Sequence, residues 1–89
     1  MEILQTPSFK RRFKKLPIDQ RIASEDAIRC IVKKPTIGQA KKGDLAGIRV
    51  YKFKVSNQLI LLAYQYNTRQ LILVALGSHE NFYRNLKNH

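Results

Sequence analysis

Cysteine is nearly missing from this chain. Cys30 is the only one in 89 residues, so no internal disulfide can form and thiolates cannot assemble a zinc cluster. Acid is scarce as well. Glu2, Asp19, Glu25, Asp26, Asp44 and Glu80 are the six acidic residues, against 17 lysines and arginines. They are scattered, and no pair has the spacing that a metal site requires, so neither a metal nor a cofactor is expected. No Walker phosphate loop and no Ser-His-Asp set is present. The longest apolar run, Leu59 to Tyr64, is far too short to span a bilayer. Near the N-terminus the basic cluster follows the apolar residues, the reverse of a secretory signal. These absences lead to the expectation of a cytoplasmic protein in a reducing compartment, with no membrane partner.

What remains is a strongly basic chain of net charge +11. Such a balance favours polyanions: nucleic acid, an anionic membrane surface or an acidic protein partner. The length suits a single domain over residues 1–89, and a chain this short buries only about 60% of its unfolded surface. Apolar residues make up 44% and come in compact runs, which argues against disorder.

The chain opens on a short strand candidate, "MEILQ". In "TPSFKRRFKKLP" Thr6 suits a helix N-cap and Pro7 the first helical position. Phe9, Phe13 and Leu16 recur at i, i+4 and i+7, which gives one apolar stripe, with Lys10, Arg11, Arg12, Lys14 and Lys15 around it. Pro17 ends this helix and opens a second, running to about Lys33. That second helix is apolar on two sides, with Ala23, Ala27, Cys30 and Ile31 on one and Ile18, Ile22, Ile28 and Val32 roughly opposite, so it is expected to be covered on both. "TIGQAKKGDLAGI" reads as loop. "RVYKFKV" then alternates, placing Tyr51, Phe53 and Val55 on one face and Val50, Lys52 and Lys54 on the other. "QLILLAYQY" and "QLILVAL" read as central strands covered on both faces, joined by a hairpin loop at "NTR". "SHENFYRNLK" returns to helical spacing, with Phe82 and Leu86 facing inward. The expected fold is α+β: an N-terminal helical hairpin packed on a small, mostly antiparallel four-stranded sheet, in the order β-α-α-β-β-β-α.

Two features carry chemistry. Lys52 and Lys54 share one face of a strand, where they form either a phosphate-binding floor or an ordinary solvated surface. His79 follows the Gly77-Ser78 break after an apolar strand. It is either a polar residue in a first helical turn or a proton carrier, since an unperturbed imidazole titrates near pH 6.5. Tyr83 and Lys87 stand four and eight positions on, along one helical face. Tyr83 can stack on a base, hold a phosphate or cover the seam between helix and sheet; Glu80 and Arg84 have the spacing of a surface ion pair. RNA is cut without a metal when its 2′-hydroxyl loses a proton and attacks the adjacent phosphate. That reaction needs a base, an acid for the leaving oxygen, and cations facing the charge on phosphorus. His79, Lys52, Lys54, Arg49 and Tyr83 supply those groups.

"TPSFKRRFKKLP", "KKGDLAGIRVYKFKV", "LILLAYQY" and "LILVALGSHENFYRNL", in that order, resemble the RelE/ParE superfamily of toxins from bacterial type II toxin–antitoxin operons. The resemblance spans nearly the whole chain. It implies a small toxin neutralised by a cognate antitoxin, expected to be acidic and partly disordered. In the RelE-like branch it further implies ribosome-dependent cleavage of messenger RNA. Lys52 and Lys54 coincide with the two strand lysines of that branch, and His79 and Tyr83 with a histidine–aromatic pair of YafQ-like members. RelE has arginine where this chain has Leu61, and its last-strand arginine falls where His79 stands, so the chain mixes two subgroups. The resemblance thus implies a metal-independent messenger-RNA endonuclease with His79, Lys52, Lys54 and Tyr83 as catalytic residues. Arg49, Arg84, Lys87 and the helix cations Lys10, Arg11, Arg12, Lys14 and Lys15 would contact RNA. The ParE-like branch offers the alternative, inhibition of DNA gyrase without any nuclease activity.

Overall fold

The computed structural model describes residues 1–79 and Phe82. Strand β1 (Glu2–Gln5) leads into helix α1 (Pro7–Lys15), then helix α2 (Ile18–Lys33). A short 3-10 turn at Pro35–Ile37 precedes β2 (Gln39–Ala40), and another at Gly43–Leu45 precedes β3 (Arg49–Val55), β4 (Gln58–Tyr66) and β5 (Gln70–Ser78). The strands form one sheet in the order β1-β5-β4-β3-β2, with β1 parallel to β5 and every other pairing antiparallel.

The α+β architecture and the helical hairpin agree with the sequence expectation, but the sheet has five strands rather than four. The extra strand, β2, lies within the stretch read as loop and pairs with Arg49 and Val50. Two residues are too few to display a period of two, so side-chain pattern cannot reveal such a strand. Of the expected last helix, Ser78 still belongs to β5 and His79 lies in a turn, while Phe82 is helical and buried; the remainder lies outside the described residues.

Thr6 determines where α1 sits. Its hydroxyl accepts the Phe9 N–H at 3.1 Å, capping the helix, and donates to the Val74 carbonyl at 2.7 Å. Its own N–H bonds the Leu73 carbonyl at 3.0 Å. β1 pairs with β5 only as far as Leu73, so α1 takes over the flank of β5 at the point where β1 stops. Phe9 is fully buried, and Phe13 and Leu16 pack beside it against Ile31, Leu62, Tyr64, Leu71 and Leu73.

α2 departs from expectation. Ala27 and Ile31 are buried against the sheet, but Ile18, Ile22 and Val32 are 66%, 54% and 37% exposed. α1 packs on β5 while α2 packs on β3. The two helices therefore lie over different strands, and neither covers the other's outer side. Cys30, placed by its spacing in the inner stripe, is also exposed.

Candidate functional site: an open basic sheet face

The helices cover one face of the sheet. On the other, Val50, Leu61, Ala63, Ala75 and Phe82 form a second, smaller cluster, flanked by Leu45, Ile48, Leu59 and Val74. Strand alternation assigns the lysines to this side. Lys52 pairs with Leu61 and Lys54 with Leu59, and both lysines are exposed.

Register extends these pairs across the sheet. Leu61 pairs with Gly77 on β5, giving a row Lys52–Leu61–Gly77. The pairing of Ile60 with Ser78 continues as a bond from the His79 N–H to the Leu59 carbonyl at 3.2 Å. A second row therefore runs Lys54–Leu59–His79. Each row covers two inter-strand spacings, about 10 Å. The structure thus brings Lys52, Lys54 and an exposed His79 to one end of one face, over an apolar floor.

A further cation arrives from the flank. A Cβ placed on Gly77 would lie 3.9 Å from Arg12 Nη2 and 3.8 Å from Phe82 Cδ1. The Arg12 guanidinium therefore reaches round β5 to the floor of the first row. Lys10, Arg11, Lys14 and Lys15 are exposed on the rest of α1. Among the described residues the only ion pairs join Arg29 to Glu25 and Asp26 on α2. No described carboxylate therefore neutralises Lys52, Lys54 or Arg12.

Arg49 does not join this site. It alternates onto the helix-covered face, donates to the Gly38 and Thr36 carbonyls at 2.7 and 3.2 Å, and lies 5.9 Å from the centre of the Tyr66 ring. Beside it the buried Tyr64 hydroxyl donates to the Pro35 carbonyl at 2.5 Å and accepts the Gly38 N–H at 2.9 Å. Burial pushes the Tyr64 phenol up, opposed in part by the Gly38 N–H and by Arg49. These residues clamp the segment after α2 onto the sheet. The position of Arg49, an odd number away from the lysines, already carried that signal. Tyr83, Arg84 and Lys87 lie outside the described residues.

A model of the ParE-like toxins of type II bacterial toxin–antitoxin systems matches residues 3–87. No curated protein matches the sequence. Among solved structures, the toxin of the intact E. coli RelBE toxin–antitoxin complex is similar at TM-score 0.72 with 16% identity, covering 89% of this chain and 96% of that one. The isolated E. coli RelE toxin is similar at TM-score 0.70 with 15% identity, over 98% and 96% of the two chains. A copper-bound mutant toxin from Helicobacter pylori reaches 26% identity at TM-score 0.64, over 91% of this chain and 97% of that one.

Proposed function

The chain belongs to the ParE-like toxins of type II bacterial toxin–antitoxin systems, and we propose that it acts as a ribosome-dependent endonuclease on messenger RNA. One observation carries the reading: exposed Lys52, Lys54 and His79 share the sheet face opposite the helices, with no described carboxylate to neutralise them. In the proposed reaction the 2′-hydroxyl attacks the neighbouring phosphate, and the 5′-oxygen of the next nucleotide leaves. Lys52 and Lys54 hold the phosphate and offset the charge that grows on its oxygens. His79 transfers a proton, as base toward the 2′-hydroxyl or as acid toward the leaving oxygen. Tyr83, by its spacing from His79, stacks on or orients a nucleotide. The outward cations of α1 meet ribosomal RNA, a contact that weakens steeply with salt.

The partner in this reading is a cognate antitoxin, as in the RelBE complex. An acidic, partly disordered chain would gain charge complementarity from the +11 toxin and would bury the exposed Ile18, Ile22 and Val32 stripe of α2 as it folds.

The match to the ParE-like model favours a second reading, inhibition of DNA gyrase, in which no residue need transfer a proton. Primer extension on a message in a reconstituted translation reaction separates the two, with the wild type and His79→Ala side by side. The endonuclease reading expects cuts from the wild type that require ribosomes and vanish in the variant. Cuts by neither protein, together with trapped DNA breaks in a gyrase assay, would replace it with the second.

A further inference from the structure

We propose that Arg12 is a phosphate-binding residue of the open face, set apart from the other cations of α1, and that it holds the RNA backbone on the β5 side of the Lys52–Leu61–Gly77 row. This rests on reading that face as an RNA site.

The placement follows from helix geometry. With about 100° per residue, Arg12 lies about 60° round α1 from the buried Phe9, while Lys10, Arg11, Lys14 and Lys15 lie about 100° or more away. Arg12 is thus the cation that borders the buried stripe. An arginine there lays its stem along apolar surface and carries its head past the edge of the core. The Thr6 bonds to Leu73 and Val74 hold α1 against β5, and the guanidinium comes to rest beside Gly77.

Gly77 completes the arrangement. A Cβ added there would already touch Arg12 Nη2 and Phe82 Cδ1, so the guanidinium lies directly over the Gly77 backbone. Across the row, Leu61 is fully buried and Lys52 stands exposed at the far end. The row therefore has a cation at each end, Lys52 on β3 and the Arg12 guanidinium beside Gly77, its two outer strand positions being about 10 Å apart. A ligand carrying two neighbouring anionic groups on a chain that tolerates apolar contact fits it, as single-stranded RNA does. The fork of a guanidinium suits phosphate oxygens better than an ammonium does.

The test is fluorescence anisotropy with a short single-stranded RNA and no ribosomes, over a series of salt concentrations. Wild type is compared with Arg12→Gln, Arg12→Lys, Gly77→Leu and, as a control, Lys33→Gln at the exposed end of α2, with thermal unfolding checked for each. Arg12→Gln is expected to weaken binding about tenfold and to lower the log–log salt slope by about 1. Arg12→Lys should recover part of the loss, Gly77→Leu should weaken binding because its longer side chain pushes on the Arg12 guanidinium, and Lys33→Gln should stay within about twofold. Equal losses for Arg12→Gln and Lys33→Gln would overturn the assignment, as would a wild type that fails to bind RNA at low salt. Wild-type cleavage in the translation reaction is measured in parallel. Arg12-dependent binding without any cuts would remove the nuclease and keep the phosphate site. Cuts without a special loss at Arg12 would do the reverse.

Discussion

Lys54 and His79 occupy opposite ends of one row across three strands, joined through Leu59, which pairs with Lys54 and accepts the His79 N–H at its carbonyl. The sheet backbone fixes their separation, while both side chains remain exposed. Removing either charge-bearing group should therefore leave folding intact and affect only the chemistry. Lys54→Gln is expected to slow cleavage in the reconstituted translation reaction by roughly a hundred- to a thousandfold, the scale of one lost transition-state contact. Its unfolding free energy should stay within about 0.5 kcal/mol of wild type. A variant that cuts at the wild-type rate would remove Lys54 from the reaction.

The Tyr64 clamp makes a prediction about alkali. Its buried phenol is held above the ordinary tyrosine range by desolvation, so the folded state favours the protonated form. That contribution is fully present below the unfolded value of about 10 and is lost as pH rises through the raised folded value. Wild-type stability should decline above about pH 10, and Tyr64→Phe should show a shallower decline. At neutral pH the same variant should lose about 1–3 kcal/mol, because the buried Gly38 N–H and the Pro35 carbonyl lose their partner. Urea unfolding at neutral and alkaline pH measures both.

Gly38→Ala attacks the clamp from the other side. Its new Cβ would sit 2.7 Å from Tyr64 Oη and 2.8 Å from the ring, and the buried ring is tethered at Pro35. Overpacking of this kind costs about 1–3 kcal/mol, to be read as a lower urea midpoint. Combining it with Tyr64→Phe should cost less than the sum of the two single losses, since the phenylalanine removes the oxygen involved in the closest contact.

The exposed stripe of α2 supplies a prediction about the partner. Ile22→Ser removes an apolar side chain that already faces water, so the isolated protein should keep its stability within about 0.5 kcal/mol. If the antitoxin covers this stripe, its affinity should fall by about tenfold or more, carried mainly by faster dissociation. Calorimetric titration with the cognate antitoxin checks this, and an unchanged affinity would place the antitoxin elsewhere.

The long strands were plain in the sequence because their apolar runs and the alternation around Lys52 and Lys54 report burial directly. Parity alone assigned Tyr51, Phe53 and the two lysines to their faces, and it assigned Arg49 as well, although its positive charge drew it into the expected site. β2 was not legible, since its pairing with Arg49 and Val50 is a backbone matter. The outer side of α2 was misjudged for a different reason. A period of 3.6 shows which residues share a stripe and says nothing about whether a neighbour covers it. Arg12 stood among five basic residues, and its approach to Gly77 is what shows which of them reaches the sheet's far face.

The anchorage of α1 through Thr6 also orders events in time. Thr6 bonds Val74 across a sequence separation of 68, and β1 finds its partner only in β5. During synthesis β1 and α1 leave the ribosome long before the strand that receives them, and closing so large a loop is slow compared with making a helix. Both rows of the open face end on β5 or on the residue just after it. The pieces that carry Lys52, Lys54 and Arg12 therefore exist as a site only after β5 has been made and has paired, which delays any activity of that face until nearly the whole described chain is free of the machinery that produced it.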